Sequence, residues 1–117
     1  MVQAADSAPA ATIATKAIDC LPVTEYVGEY RITAYSYEES NGENYGTAGG
    51  YTPVPYYTVA ATIEFEFGTV LFIEGVGFVQ EQDRGAFPEG TLDLHIGHDD
   101  PNEFDTGYKG VYVVVDQ

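Results

Sequence analysis

The sequence predicts an all-β protein, a small barrel or sandwich of six short strands. Six segments rich in β-branched and aromatic residues follow one another from residue 30 to residue 115, and turns rich in glycine separate them. No stretch carries apolar residues at a strong helical spacing, and only residues 99–109 have the composition for a turn or two of helix. Short strands without intervening helices are typical of small closed β architectures.

The predicted strands can be justified in chain order from their patterns. They cover residues 30–37, 57–63, 69–73, 78–82, 91–96 and 110–115. In the first strand, Tyr35 and Tyr37 alternate with polar neighbours, as on a half-buried strand. A long loop rich in turn residues leads to the second strand. The last segment is apolar on both faces, which predicts a well-covered strand. Asp99 or Asp100 would cap the helical turn that starts near Pro101.

The chain divides into an N-terminal arm or linker, residues 1–22, and one domain, residues 23–117. The arm consists of small and polar residues without periodicity, so we expect it to become ordered only when it docks onto another surface. A chain of 117 residues is long enough for one modest core but not for two. The single cysteine, Cys20, excludes an internal disulfide and a cysteine-ligated zinc site.

The charge balance excludes several classes of partner. Nineteen acidic residues against four basic ones give a net charge of −15, which repels nucleic acids and anionic lipids. No apolar run approaches the roughly 20 residues that a membrane-spanning helix needs. We therefore expect neither nucleic-acid binding nor membrane insertion, and nothing in the sequence calls for a cofactor.

Two aspartates are the strongest candidates for chemistry. Asp93 lies within a strand between Leu92 and Leu94, so its side chain faces the side opposite to theirs. If that side is a partly desolvated groove, the pKa of Asp93 rises and the residue can act as a general acid. Asp83, at the end of the preceding strand, would raise it further by charge repulsion. The alternative is that Asp93 faces water, as most acidic residues do.

Three blocks of sequence carry a resemblance to a known family. They comprise residues 25–35, residues 49–60 continuing to 67–77, and residues 81–85 followed by 92–94. Together they resemble the three-aspartate domain of bacterial cell-wall proteins, which is related to the barrel of membrane-bound lytic transglycosylase A. The resemblance implies a six-stranded double-psi β-barrel. It also implies a secreted lytic transglycosylase-like activity that cleaves the glycan strand of peptidoglycan without water.

The resemblance also implies roles for individual residues. Asp93 matches the aspartate that serves as general acid and base, and Asp83 matches the second aspartate, which orients and polarises the site. The first of the three aspartates falls at Ala61 and is therefore replaced. The family's pair of glycines followed by lysine is also absent, since residues 84–88 contain one glycine and no lysine.

Several further residues are candidates for substrate binding. Tyrosines near the proposed cleft would stack on sugar rings and hydrogen-bond to sugar hydroxyls, although about half of them should alternate into the core. Arg84 would pair with Asp83, meet a substrate carboxylate, or form a surface ion pair of little consequence. The predicted substrate-binding residues are Tyr35, Tyr56, Tyr57, Thr47, Arg84 and Gly85.

One acidic cluster resembles a metal site only superficially. His95 and His98 lie close in sequence to several acidic residues, but a calcium loop starting at Asp100 would need ligands where Phe104 and Val111 stand. We expect a solvated acidic turn and no metal.

Three functional hypotheses remain at this point. They are the peptidoglycan-cleaving enzyme, a catalytically silent barrel that binds glycan or protein, and a structural unit of an extracellular assembly. The expected location is extracellular or in the cell wall. The expected partners are peptidoglycan or another glycan, and a protein docked through residues 1–22.

Overall fold

The structure, a computed structural model, confirms an all-β domain. It describes residues 22–40, 42, 46–62 and 64–115, so all but the last residue of the predicted arm 1–22 lies outside the described residues. The strands are β1 (Val23–Tyr35), β2 (Thr58–Ala61), β3 (Val70–Ile73), β4 (Gly77–Arg84), β5 (Thr91–His95) and β6 (Gly107–Val115). The helical structure in the described ranges consists of two 3₁₀ turns, Tyr37–Ser40 and Pro101–Glu103. None of it is long and apolar enough to cross a membrane.

The six strands close into a barrel in the order β1-β5-β2-β4-β3-β6. β1 pairs with β5 and β2 pairs with β4 in parallel, and the other neighbours are antiparallel. Exchanging β1, β2 and β3 for β4, β5 and β6 leaves this pairing pattern unchanged. The two halves of the chain therefore repeat one arrangement around an approximate two-fold axis, in keeping with the double-psi barrel that the resemblance implies.

Apolar side chains from every strand fill the interior of the barrel. Seven of them are leucine, isoleucine or valine residues on β1 to β5 with no solvent exposure, and each contributes roughly 1.5–3 kcal/mol when fully buried. The core cluster consists of Ile32, Val59, Ala61, Leu71, Ile73, Val79, Leu92, Leu94, Ile96 and Val111. Alternation along each strand sends the intervening side chains to the outside.

Three segments differ from the sequence prediction. Residue 37, predicted as the end of the first strand, begins the 3₁₀ turn Tyr37–Ser40, where no helical turn was predicted. The first strand begins at Val23 rather than at residue 30, because its first half pairs with the end of β6 across a bulge between Tyr26 and Gly28. The predicted helical turn after residue 99 is limited to Pro101–Glu103, and the Asp100 carboxylate caps it by accepting from the Asn102 backbone N–H. The chain then enters β6, whose pairing with β1 outweighs helix formation.

Candidate functional site

One row of residues crosses four neighbouring strands at the same level of the barrel. Thr33 on β1 pairs with Asp93 on β5, Asp93 pairs with Ala60 on β2, and Ala60 pairs with Asp83 on β4. Leu92 and Leu94, the neighbours of Asp93, belong to the core, so this row faces outward. Residues from four separate strands therefore meet on one face.

A bulge in β4 brings Asp83 into this row. Val59 pairs with Glu81, but the next residue, Ala60, pairs with Asp83, so the register shifts by one residue at Gln82. Without the extra residue, Gln82 would stand opposite Ala60. Bulges of this kind redirect a side chain and are frequent beside functional sites.

The row forms one wall of a cavity of about 480 Å³. Both candidate aspartates and three of the six predicted substrate-binding residues, Tyr35, Arg84 and Gly85, line it. The remaining lining residues are Thr33, Ala34, Glu39, Ser40, Ala60 and Phe87. The structure therefore brings Asp83 and Asp93 to one cavity, although β2 lies between the strands that carry them.

The carboxyl group of Asp93 is half-buried in the cavity wall. Burial raises its pKa above the ordinary value of 3.8, and the nearby charges of Glu39 and Asp83 raise it further. The Thr33 hydroxyl donates to Asp93 Oδ1 at 2.7 Å, which opposes this shift. Asp93 thus has an environment that favours its protonated form more than water does.

Asp83 is held by three hydrogen bonds. Its Oδ1 accepts from the backbone N–H groups of Ala48 and Arg84, both at 2.9 Å, and its Oδ2 accepts from the Tyr35 hydroxyl at 3.1 Å. Burial and the charge of Asp83 raise the pKa of Tyr35, so this hydroxyl remains a donor. Because all three partners donate, Asp83 is oriented as an acceptor. The two aspartates therefore have different environments within one cavity.

Arg84 does not make the ion pair with Asp83 that the sequence allowed. Its guanidinium pairs instead with the fully buried carboxylate of Glu81, donates to the Phe65 carbonyl at 2.8 Å, and lies 4.0 Å from the centre of the Phe67 ring. An unpaired charge costs more free energy when it is fully buried, as on Glu81, than when it is half-exposed, as on Asp83. This difference accounts for the pairing of Arg84 with Glu81. Arg84 contacts the Asp83 carboxylate through its backbone N–H, and its guanidinium donates to the Asp83 backbone carbonyl at 3.4 Å.

Gly85 gives the cavity its shape at one side. A Cβ at this position would lie 2.1 Å from the Phe87 ring, so the absence of a side chain lets that ring pack against the backbone. The backbone N–H of Gly85 donates to the Ala61 carbonyl at 3.1 Å. Phe87 thereby becomes an aromatic wall of the cavity.

The other three predicted substrate-binding residues lie elsewhere. Tyr56 lines a second cavity of about 490 Å³, where its hydroxyl donates to Asp99. Tyr57 is half-buried and lines neither cavity. The Thr47 hydroxyl accepts from the Tyr51 backbone N–H at 3.1 Å, away from the cavity lining. None of these three side chains lines the cavity that holds the two aspartates.

The neighbouring positions Ala60 and Ala61 have opposite surroundings. Ala61, where the resemblance places the first family aspartate, is fully buried in the core cluster. Ala60 lines the cavity between Asp83 and Asp93. A carboxylate at position 60 would therefore face the two aspartates, whereas one at position 61 would be buried among apolar side chains.

Sequence reasoning missed three functional candidates. Thr33 becomes recognisable only from the parallel register of β1 and β5. Glu39 reaches the cavity from the 3₁₀ turn after β1, where its Oε1 accepts from the Ser36 backbone N–H at 3.2 Å. Phe87 depends on its close approach to Gly85.

The histidines near the end of β5 do not join the acidic residues Asp99, Asp100, Glu103 and Asp105, which line the second cavity. The buried His95 accepts from the Gly97 backbone N–H at its Nδ1, 3.1 Å away, while the exposed His98 contacts Glu38. Within the described ranges, no group of three histidine, cysteine or acidic side chains could hold a metal ion.

No protein-family model matches the chain, and no curated protein matches it either.

Proposed function

We propose that the cavity containing Asp83 and Asp93 is the active site of a secreted, lytic transglycosylase-like enzyme that cleaves the glycan strand of peptidoglycan. The observation that carries the proposal is the environment of Asp93, a half-buried carboxyl group on the wall of an open cavity. Burial raises its pKa, and a general acid is most effective when its pKa lies close to the working pH.

One carboxyl group is sufficient for this reaction. Protonated Asp93 donates its proton to the glycosidic oxygen, and the bond between that oxygen and the anomeric carbon breaks. The resulting Asp93 carboxylate then accepts the proton of the 6-hydroxyl group of the muramic sugar whose glycosidic bond has broken. As it does so, the oxygen of this 6-hydroxyl group bonds to the anomeric carbon of the same sugar. The product is a 1,6-anhydro sugar, and Asp93 is again protonated. Ordinary glycoside hydrolysis, by contrast, uses a second carboxylate as nucleophile or as a base for water.

Asp83 has an electrostatic role in this scheme. Its three donors fix the carboxylate on the cavity wall, beside the place where positive charge develops on the sugar ring. It also adds to the repulsion that raises the pKa of Asp93. Tyr35 acts through Asp83 and is a positioning residue.

A second candidate function is a catalytically silent barrel that binds glycan or a protein. Two observations favour it. The position between the aspartates is Ala60, so a third carboxylate is missing from this wall of the cavity, and the Arg84 guanidinium is engaged with Glu81 rather than directed at a substrate. The third hypothesis, a structural unit docked through residues 1–22, depends on residues outside those described.

Digestion of purified cell-wall sacculi tests the proposal. The protein should release anhydro-muropeptides, and Asp93→Asn should abolish the release. Asp105→Asn, the same substitution outside this cavity, should leave it unchanged. High salt should increase the rate, because the Debye length falls to about 3 Å at 1 M and screens the net charge of −15 from an anionic wall. If wild type and Asp93→Asn are equally inert while sacculi still bind both, the silent-barrel hypothesis replaces the proposal.

A further inference from the structure

We infer that the outer wall of the barrel opposite the cavity is a docking surface for a basic polypeptide segment. Four aromatic residues form a continuous row there, which we call the aromatic row: Tyr26 on β1, Tyr112 on β6, Phe72 on β3 and Phe78 on β4. Tyr26 pairs with Tyr112, Tyr112 with Phe72, and Phe72 with Phe78. The cavity is centred on β5 and β2 and the aromatic row on β6 and β3, which lie on opposite sides of the closed barrel, while β1 and β4 contribute to both features.

The rings of this row are in contact with one another and open to solvent. Their centroids are 5.2, 6.2 and 5.0 Å apart along the row. Tyr26 and Phe78, at the two ends, are 57% and 46% exposed, and the two central rings are half-buried. Contiguous exposed apolar surface is unusual on a soluble protein, and tyrosine and phenylalanine are enriched at protein interfaces.

The tilt of the rings favours a polypeptide over a glycan. Neighbouring rings along the row are inclined by 59°, 62° and 65°. Successive sugars of a glycan strand stack well on coplanar rings, whereas these rings contact one another at angles of 59–65° and offer no coplanar platform. Side chains of a polypeptide need no coplanar platform and can pack on such inclined faces.

The charge around the row favours a basic partner. The Tyr112 hydroxyl donates to Glu74 Oε2 at 3.1 Å, and the Glu74 carboxylate lies over Gly110, where a Cβ would be 2.6 Å from its Oε1. The exposed Glu29 pairs with Gly110 from β1. Lysine or arginine side chains can therefore contact ring faces and carboxylates together. A second copy of the chain would bring another charge of −15 to the same acidic edge.

Stabilisation of the barrel accounts for only part of the arrangement of the four rings in the aromatic row. Cross-strand aromatic pairs contribute roughly 0.2–1 kcal/mol each, which explains why the rings touch. It does not explain why the terminal rings keep half of their surface in water. The experiment below therefore measures binding and stability separately.

A titration of the isotopically labelled full chain with a short synthetic peptide of alternating lysine and leucine tests the inference. Backbone amide signals of β3 and β6 around Phe72 and Tyr112 should shift, and a matched peptide of alternating glutamate and leucine should not shift them. The double variant Phe72→Ser/Phe78→Ser should weaken binding at least tenfold. Tyr108→Ser, which removes a ring that is 69% exposed on β6 outside the row, should not.

A second variant covers the case in which the double variant does not fold. Glu74→Gln keeps all four rings and should reduce binding of the lysine peptide severalfold without lowering the melting temperature by more than a few degrees. Absence of shifts in the row, or equal binding of both peptides, overturns the inference. The inference is also overturned if the wild type sediments as a dimer and the row variants sediment as monomers, because the occupant of the row is then a second copy of the chain. If the row variants lose binding to sacculi, the occupant is a glycan.

Discussion

The substitution Ala60→Asp tests the register that underlies the whole site. Ala60 pairs with both Asp83 and Asp93, so a new carboxylate at this position would lie between them. Directly paired residues have Cβ atoms about 4.5–5.5 Å apart, which brings carboxylates to roughly 6 Å. The variant therefore places a third like charge in the cavity.

The size of the effect follows from this separation. Two unit charges roughly 6 Å apart repel by about 3 kcal/mol at an effective dielectric constant of about 20, and by about 0.7 kcal/mol in bulk water. Since one pKa unit corresponds to about 1.4 kcal/mol, Ala60→Asp should raise the pKa of Asp93 by about one to two units in this half-buried position. Ala60→Asn, which has nearly the same shape and no charge, should change it much less.

A pH titration of the Asp93 side-chain carbon by NMR measures this shift directly. Ala61→Asp is the informative comparison, because it would bury an unpaired charge in the core and should cost several kcal/mol of stability in urea unfolding. If Ala60→Asp leaves the pKa of Asp93 unchanged, or if Ala61→Asp changes that pKa in a stable protein, the register described above is wrong.

Three further predictions concern the groups around the aspartates. Thr33→Val removes a hydrogen bond that lowers the pKa of Asp93, so the alkaline limb of the pH–activity profile should move to higher pH. Asp93→Asn should be more stable than wild type at neutral pH. Because the pKa of Asp93 is raised in the folded state, wild type loses stability as the pH rises from 3.8 through that folded-state pKa. The melting temperatures of the two proteins should therefore converge below pH 3.8. Arg84→Met leaves the buried carboxylate of Glu81 unpaired and should cost about 3–5 kcal/mol in urea unfolding.

The sequence predicted the fold well because the barrel depends on local signals. Alternating β-branched residues and glycine turns mark each strand, and all six predicted segments correspond to strands of the structure. The first half of β1 was missed because its residues are mostly exposed and are specified by pairing with β6 rather than by their own pattern. Strand content is thus encoded locally, while strand extent depends on the partner.

The site was predictable only in part, for a related reason. The strand alternation around Asp93 left open whether its side chain faces water or a groove, and the family resemblance was needed to place Asp83 and Asp93 in one site. The bulge at Gln82 and the pairing with Ala60 depend on register, which leaves no pattern within one segment. The engagement of Arg84 with Glu81 follows from the complete burial of that carboxylate, which the sequence does not reveal.

The most direct test of the central claim is digestion of sacculi in water enriched in heavy oxygen, followed by mass spectrometry of the released fragments. If Asp93 works as the sole acid and base and the sugar's own 6-hydroxyl closes the ring, the fragments should end in anhydro sugars without heavy oxygen. Their release should disappear in Asp93→Asn. Fragments with labelled reducing ends, or release that survives the loss of the Asp93 carboxyl, would contradict the account.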